Sequence, residues 1–315
     1  MSRRGWLLFA AMGVIWGIPY LLIKVADGGV SVPVLVCTRV AVGSLLLLPV
    51  AVRGGYLGAL KGHLGWLAAF TVTEIIGPFA LLSSAERRLP SSTSGLLVAA
   101  VPIFAALLAW LTRGGDRLTR VRWAGLAIGL GGVALLAGPG AGHGNTLPVI
   151  AVLLTALGYS IGPLIANRKL SSLPPLGMTA VCLAFAAVLY SPLAALSWPS
   201  AVPSFRVLAS LAGLAVICTA VAFLVFFRLI AEIGPARATV ITYVNPAVAV
   251  ALGVSILGEP FTLAMAGAFA LILGGSVLAT RGARPAAAKD EPAVAAAVPA
   301  AGPGEVLPDA PEPAR

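Results

Sequence analysis

The apolar stretch SGLLVAAVPIFAALLAW runs from Ser94 to Trp110 without a charged residue. Seventeen helical residues rise about 25 Å, close to the hydrocarbon thickness of a bilayer, about 30 Å. Extending the stretch to Ser92 and Thr112 makes the helix long enough to cross the hydrocarbon of the bilayer, about 30 Å. The sequence therefore predicts a membrane-spanning helix here, with Pro102 near its middle.

The composition of the whole chain agrees with a membrane location. Hydrophobic residues make up 59% and charged residues only 10% of 315 residues, whereas soluble domains carry about 25% charged residues. A soluble fold of this length could not bury so much apolar surface, but a bilayer accepts apolar side chains on every outward face. We expect an all-α integral membrane protein.

Similar apolar runs recur between charged or Pro/Gly-rich breaks, and ten of them are long enough to span. We place the spans at Trp6–Val25, Pro33–Val52, Leu64–Ser83, Ser92–Thr112, Trp123–Gly138, Leu147–Ala166, Pro175–Leu196, Val207–Ile230, Ala236–Leu257 and Thr262–Thr280. The Ala- and Pro-rich segment 282–315 has no apolar period and is expected to be a disordered tail.

Lysine and arginine are distributed unevenly over the predicted connectors. With the N-terminus inside, fifteen basic residues fall on the inner side, and only Lys24, Arg87, Arg88 and Arg206 on the outer side. Because cytoplasmic loops hold the excess of basic residues, we expect both termini in the cytoplasm and a multi-pass protein of the plasma membrane.

An internal repeat is visible at an offset of 143 or 144 residues. Asp116 falls on Glu259, Lys24 on Arg168 and Pro102 on Pro246. Residues 1–140 and 141–281 would then form two halves of five helices each. Because five is odd, the second half enters the membrane from the opposite side, which predicts an inverted repeat with a substrate site near the midplane.

Several motifs resemble EamA-type domains of the drug/metabolite transporter superfamily. In the first half these are Ser94 to Trp110, GGDRLT ending at Thr119, and Gly125 to Gly132. The counterparts run from the YVNP ending at Pro246 through the LGEP ending at Pro260 to Gly274-Gly275. Trp16-Gly17, Lys24 and Arg39 extend the resemblance over roughly residues 6–280. Asp116 stands where the family's first half usually has glutamate.

The resemblance implies a ten-helix carrier for a metabolite, an amino acid or a drug-like solute, often an exporter. No cofactor is implied, and the partners are the lipid bilayer, a small-molecule substrate and, in one reading, protons. Neither the substrate nor the choice between monomer and homodimer can be read from these motifs.

Two charged residues fall inside predicted spans. Glu74 lies ten residues into its helix, about 15 Å deep and so near the bilayer midplane, where burial favours a protonated carboxyl. Glu74 could therefore exchange a proton, or it could be a structural partner of Arg39, Thr71 or Thr73. Arg39 lies about 9 Å deep and could bind a substrate carboxylate or neutralise Glu74.

Aromatic and polar residues complete the candidate cavity. Trp16, Tyr20 and Lys24 share one face of the first helix at i, i+4 and i+8, with Pro19 placed to kink it. Tyr20 and Lys24 could instead be interfacial anchors. The remaining candidates are Tyr159, Tyr243 and Asn245, and helix breaks are expected at Gly77-Pro78, Val101-Pro102, Gly162-Pro163 and Asn245-Pro246.

Other functions lack their sequence requirements. The bases form no patch or arm for nucleic acid, and the cysteines Cys37, Cys182 and Cys218 and the lone histidines show no spacing for a metal. The rival class, an intramembrane enzyme or lipid-handling protein, would need a nucleophile or metal set inside the spans. We therefore expect neither an enzyme nor a P-loop ATPase. The charged run Glu86-Arg87-Arg88 is expected to be a solvated loop, and Gly125 and Gly129 are expected to pack against another helix of the same chain.

Overall fold

The computed structural model of the chain describes residues 2–112, 119–137, 146–234, 238 and 240–280. Every regular element in this part is helical. Sequence features outside the described residues are Asp116 with Arg113 and Arg117, His143, Arg237 and the segment from Arg281 onward.

In the part of the chain that the structure describes, ten longer helices follow one another, apart from a short 3-10 turn at Gly58–Leu60. They are α1 (Arg3–Ala26), α2 (Val32–Arg53), α3 (Leu64–Glu86), α4 (Ser91–Leu111), α5 (Arg120–Ala137), α6 (Thr146–Lys169), α7 (Pro175–Leu196), α8 (Phe205–Ile233), α9 (Ile241–Leu257) and α10 (Leu263–Thr280). Eight of them, all but α5 and α9, are long and apolar enough to cross a membrane. The multi-pass prediction is confirmed, whereas the count of ten spans stays a prediction.

Three of the helices are interrupted near prolines. α1 is broken at residues 16–18 ahead of Pro19, and α4 at residues 99–100 ahead of Pro102. α3 contains a π-helical segment, Val72–Ile76, just before Pro78. Proline lacks the N–H that would continue the helical hydrogen bonds, which explains the positions of all three. The breaks expected at Gly162-Pro163 and Asn245-Pro246 are wrong, because α6 and α9 continue through both prolines.

A second π-helical segment occurs in α8, at Gly213–Val221, where the sequence has no proline. The repeat offset of 143 carries residues 72–76 onto residues 215–219, inside this segment. The two halves therefore share a local distortion as well as sequence matches. Inserted π turns are often found at functional sites.

The helices alternate in direction, as contacts at the two ends of the bundle indicate. At the end that holds the N-terminus of α1, here the near end, Ser2 lies 2.5 Å from Glu232 and Arg122 donates to the carbonyl of Ala279 at 2.9 Å. At the opposite, far end, Ser31 donates to Ser197 at 2.9 Å. The alternation follows from short connectors between consecutive helices.

The core lies between the first five helices and the second five. α1 packs on α8 and α9, α2 on α7 and α8, α3 on α6 and α7, α4 on α6 and α9, and α5 on α10. At α5, a Cβ on Gly125 would overlap the backbone of α10 at Gly275 and Ala279. The expected intramolecular packing of the Gly125 and Gly129 face is confirmed.

Candidate functional site

Arg39 is the centre of a polar cluster between the two halves. It extends from α2 and is 6% exposed. Its Nε donates to Thr219 Oγ1 at 3.0 Å, and its guanidinium carbon lies 3.9 Å from the centroid of the Phe79 ring. Thr219 belongs to the π-helical segment of α8 and itself donates to the Leu214 carbonyl at 2.8 Å. The distorted segment thus presents a hydroxyl to a buried cation.

Glu74 lies on the π-helical segment of α3 and points at α6. A Cβ on Gly162 would overlap its Oε2. That oxygen is buried and has no hydrogen-bond partner among the described residues. The carboxyl can approach α6 this closely only because position 162 carries no side chain.

Tyr159 interacts electrostatically with both charged residues. It is three residues before Gly162 on α6, and it lies within electrostatic range of Arg39 and Glu74. Tyr20 is 6% exposed and lies within electrostatic range of Tyr159 and Arg39. Four of the predicted site residues, Tyr20, Arg39, Glu74 and Tyr159, therefore meet in one place, which we call the central cluster.

The structure does not pair Arg39 with Glu74. Among the described residues neither side chain takes part in a salt bridge, and Arg39 is satisfied by Thr219 and the Phe79 ring. The hydroxyls of Thr71 and Thr73 do not donate to Glu74. They donate instead to carbonyls one turn earlier, at Leu67 and Ala69. In this conformation the carboxyl and the guanidinium are separate groups.

Three other predicted residues lie outside the central cluster. Trp16 packs on Phe223 and Phe226 of α8, with ring centroids 6.4 and 4.7 Å away. With its amide nitrogen facing two carbonyls, Asn245 donates to Gly13 at 3.1 Å and to Ile241 at 3.0 Å. It joins α9 to α1 just before the break in α1. The Tyr243 hydroxyl lies 3.4 Å from Thr280 Oγ1, at the near end.

Lys24 has a structural role in this conformation. Its Nζ donates to the carbonyls of Glu86, at 2.5 Å, and Leu89, at 2.9 Å. A cation at these carbonyls satisfies the end of α3 and complements its helix dipole. Lys24 therefore fastens the second segment of α1 to the connector between α3 and α4.

The interpretation of Glu86 as a solvated loop charge is wrong, whereas Arg87 and Arg88 lie in a turn and are exposed as expected. Glu86 is the last residue of α3, one turn beyond the predicted end, and is 0% exposed. Arg87 donates to the Val30 carbonyl at 2.8 Å and pairs with Asp27 at 3.5 Å. Burial raises the pKa of Asp27 to about 6, although Arg87 beside it opposes the shift. Hydropathy could not reveal this, because a charged run after an apolar one is usually solvated.

Glu259 closes the far end from the second half. Its carboxylate accepts hydrogen bonds from the backbone N–H groups of Ser91, at 2.6 Å, and Ser92, at 2.9 Å, and from the Ser92 hydroxyl at 2.5 Å. A carboxylate suits the exposed N–H groups and positive dipole of the α4 N-terminus. Burial alone would raise the pKa of Glu259, but these hydrogen bonds outweigh it and hold the pKa below its usual value.

We call Lys24, Asp27, Glu86, Arg87 and Glu259, with Ser91 and Ser92, the far-end cluster. Sequence reasoning found only Lys24 and a repeat match for Glu259. The helical spacing gave one indication that Glu86 is buried. Glu86 follows Phe79 by seven residues, so the two side chains lie on the same face of α3. No three His, Cys, Asp or Glu side chains among the described residues are grouped to hold a metal ion.

Comparison with known families places the chain among transporters. The sequence profile of the EamA-like transporter family matches residues 3–138 and again residues 146–281. The "Uncharacterized inner membrane transporter YedA" of Escherichia coli K12 is 29% identical over 279 residues, covering 86% of this chain and 89% of that protein.

A second relative carries a substrate in its name. The "Probable terminal-alkyne amino-acid exporter" of Streptantibioticus cattleyicolor is 28% identical over 293 residues, covering 89% of this chain and 94% of the exporter. A solved crystal structure superposes with a TM-score of 0.63 at 23% identity, over 89% of this chain and 97% of that one. At this identity the superposition establishes a common fold only.

Proposed function

Because the chain belongs to the EamA-like transporter family, we propose that it is a secondary transporter that carries a small solute across the plasma membrane by alternating access. The observation that carries the proposal is the central cluster. Tyr20, Arg39, Glu74 and Tyr159 come from four helices and both halves, and they bury polar groups that a purely structural bundle would replace by apolar ones.

The architecture proposed for this function is an inverted repeat of two five-helix halves, residues 1–140 and 141–281, followed by a tail. Three observations support it. The family match divides at nearly the same place, and π-helical segments occupy equivalent positions in α3 and α8. Shifting every helix number by five turns each of the packing pairs named under the fold into itself or into another of them. Five helices per half invert the second half relative to the first.

The proposed orientation has the near end and both termini in the cytoplasm. Arg3, Arg4, Arg122, Arg168 and Lys169 all lie at or beside near-end contacts. The far end has fewer basic residues, and Lys24 and Arg87 there are engaged by protein groups. This asymmetry is the one expected when the near end faces the cytoplasm.

Amino acids are the substrate class that the central cluster suits best within the broader range of metabolites and drug-like solutes. Arg39 can bind a carboxylate in a bidentate manner, and Phe79, Tyr20 and Tyr159 offer aromatic surface beside it. The exporter from Streptantibioticus is named for an amino acid, which favours the same class and the outward direction.

Glu74 is the proposed site of proton coupling. Its oxygen Oε2 is buried without a partner among the described residues, so the ionised form would be poorly compensated in this conformation. Protonation would neutralise Glu74, and ionisation would allow it to attract Arg39 and compete with an anionic substrate group. Substrate moving downhill without any ion is the alternative.

A liposome screen tests the proposal. The purified full chain is reconstituted, and uptake of labelled amino acids, aromatic metabolites and cationic drugs is measured with and without a pH gradient. We expect saturable transport of a carboxylate-bearing solute, inhibited by excess unlabelled solute. If every probe equilibrates at the rate of empty liposomes while the protein stays folded, the proposed substrate class is wrong.

A further inference from the structure

Glu86 is a buried acid for which the transport mechanism above has no use. Its side chain is 0% exposed, and neither carboxyl oxygen has a hydrogen-bond partner among the described residues. Buried polar groups are almost always hydrogen-bonded, so an unpartnered carboxyl at this position needs an explanation.

Charged and titratable groups surround Glu86 on several elements. Two are acidic, Asp27 after α1 and Glu259 between α9 and α10; two are basic, Lys24 on α1 and Arg39 on α2. The hydroxyls of Tyr20 and Tyr159 complete the set. The carboxyl therefore faces as many acids as bases.

The neighbouring cations are already engaged. The Lys24 ammonium donates to the backbone carbonyls of Glu86 and Leu89, not to the carboxyl. Arg39 is bound to Thr219 and lies over Phe79, and Arg87 binds Asp27 and the Val30 carbonyl. An ionised Glu86 would thus be a buried charge without a hydrogen-bond partner among the described residues, which is strongly unfavourable, whereas the neutral acid is tolerated.

The surroundings of Glu86 also close the far end of the bundle. Lys24 attaches α1 to the end of α3, and Glu259 attaches the α9–α10 connector to the start of α4. Glu86 lies between these two attachments. Glu259 belongs to the second half and Ser91 to the first, so separating the far ends of the two halves would break this attachment and admit water to the carboxyl. The Lys24 attachment lies within the first half.

We propose that Glu86 is a proton-binding site of this transporter, occupied while the far end is closed and emptied when the far end opens. The proton leaves the carboxyl oxygen for water, and the resulting carboxylate is hydrated at the opened end and attracted by the neighbouring Lys24 ammonium. This inference rests on the proposed function, because it assigns the proton to a step of alternating access. It adds a second acid, at the far end, to Glu74 at the central cluster.

Cysteine accessibility tests the proposal on the full chain. The reporter is Ser94→Cys, on α4 one turn beyond Ser91, where the native side chain is 0% exposed. The background carries Cys37→Ala, Cys182→Ala and Cys218→Ala. Labelling by a membrane-impermeant thiol reagent is measured from the far side between pH 6 and pH 9, and normalised to the exposed far-end position Arg88→Cys. The normalisation corrects for the pH dependence of an exposed thiol, and the same reporter in the Glu86→Gln protein corrects for that of the buried thiol.

Normalised labelling of the reporter should rise with pH, by up to about tenfold per pH unit if one proton leaves on opening. Adding Glu86→Gln, the isostere of the neutral acid, should leave labelling slow and independent of pH. Adding Glu74→Gln should leave the pH dependence intact. An unchanged pH dependence in the Glu86→Gln protein would overturn the proposal. Loss of the pH dependence in an Asp27→Asn protein instead would also overturn it, because Asp27 would then be the titrating group.

Difference infrared spectra provide a second measurement that does not depend on the reporter. In a Glu74→Gln background, which removes the other unpartnered glutamate carboxyl, the full chain at neutral pH should show the C=O stretching band of a protonated carboxyl, and Glu86→Gln should remove it. If no such band is present, Glu86 is ionised and the proposal fails; failure of Glu86→Gln to fold would also contradict it. Neither assay uses a substrate. A liposome screen in which no probe is transported would therefore reject the proposed substrate class without deciding the role of Glu86.

Discussion

The carboxylate of Glu74 lies against the Cα of Gly162, so closely that a Cβ on the glycine would overlap the oxygen Oε2. Gly162→Ala should therefore displace the carboxyl from its place beside Tyr159. We expect at least a tenfold loss of transport in reconstituted liposomes, with the protein still folded, because one methyl group is small compared with a helix contact.

Gly131→Ala is the matched control for this prediction. Gly131 is also helical, on α5, but among the described residues no atom outside its own helical turn lies within 4 Å of the place that its Cβ would take. Transport should stay unchanged. Equal activity of both alanine variants would mean that the position of Glu74 does not matter for transport.

Replacing Glu74 by Gln separates proton coupling from substrate movement. The amide resembles the protonated carboxyl, so exchange of labelled for unlabelled substrate should survive while accumulation driven by a pH gradient disappears. Glu232→Gln, which alters a near-end carboxylate beside Ser2, should retain both activities. Intact pH-driven accumulation in Glu74→Gln would exclude this carboxyl as the proton carrier, and loss of folding would favour a structural role.

Arg39→Lys tests carboxylate recognition. Lysine keeps the charge but loses the planar fork, the bond from Nε to Thr219 and the stacking on Phe79. A charge-assisted hydrogen bond contributes about 1.5–3 kcal/mol, so the KM for a carboxylate-bearing substrate should rise roughly ten- to hundredfold.

The matched control for Arg39 is Arg122→Lys. Arg122 is also buried and donates through Nε, but to the backbone carbonyl of Ala279 at the near end. Its replacement should lower thermal stability and leave KM unchanged. A KM that rises equally in both variants would indicate a general loss of packing instead of substrate contact.

Glu259 should make the stability of the protein depend on pH. Its pKa is held below the ordinary glutamate value, so its contribution is fully present above that value and is lost as the pH falls through the folded-state pKa. Glu259→Gln should cost about 1 kcal/mol at neutral pH, as the loss of a helix N-cap does. The difference between the two proteins, measured by thermal unfolding in detergent, should shrink on acidification; a constant difference would contradict the assignment.

The orientation of the bundle can be tested at two exposed basic positions. In the background without native cysteines, Lys61→Cys should react with an impermeant thiol reagent only from the cytoplasmic side. Arg88→Cys should react only from the outside. The reverse pattern would place the near end outside and invalidate the charge argument.

Hydropathy was sufficient to predict that the chain lies in a membrane and where most of its helices are. Apolar runs such as Ser94 to Trp110 place helices to within about a turn, because the length and register of a spanning helix are local properties. The interruptions before Pro19, Pro78 and Pro102 were also predicted, because a proline lacks an N–H. The same reasoning failed at Pro163 and Pro246, where the helices continue. The π-helical segment of α8 was not predicted, since its Thr219 hydroxyl donates to a carbonyl five residues back without any proline to mark the place.

Partner choice was decided by the tertiary structure alone. Arg39 and Glu74 were natural partners by charge and depth, yet Arg39 binds Thr219, 180 residues away, and Glu74 meets Gly162. Glu259 caps a helix that starts 168 residues earlier, and Glu86 is buried where the sequence reads as a charged loop. Local composition determined that these helices are in the membrane. Which polar groups are buried together depends on which helix faces meet, and that is set by packing between distant segments of the chain.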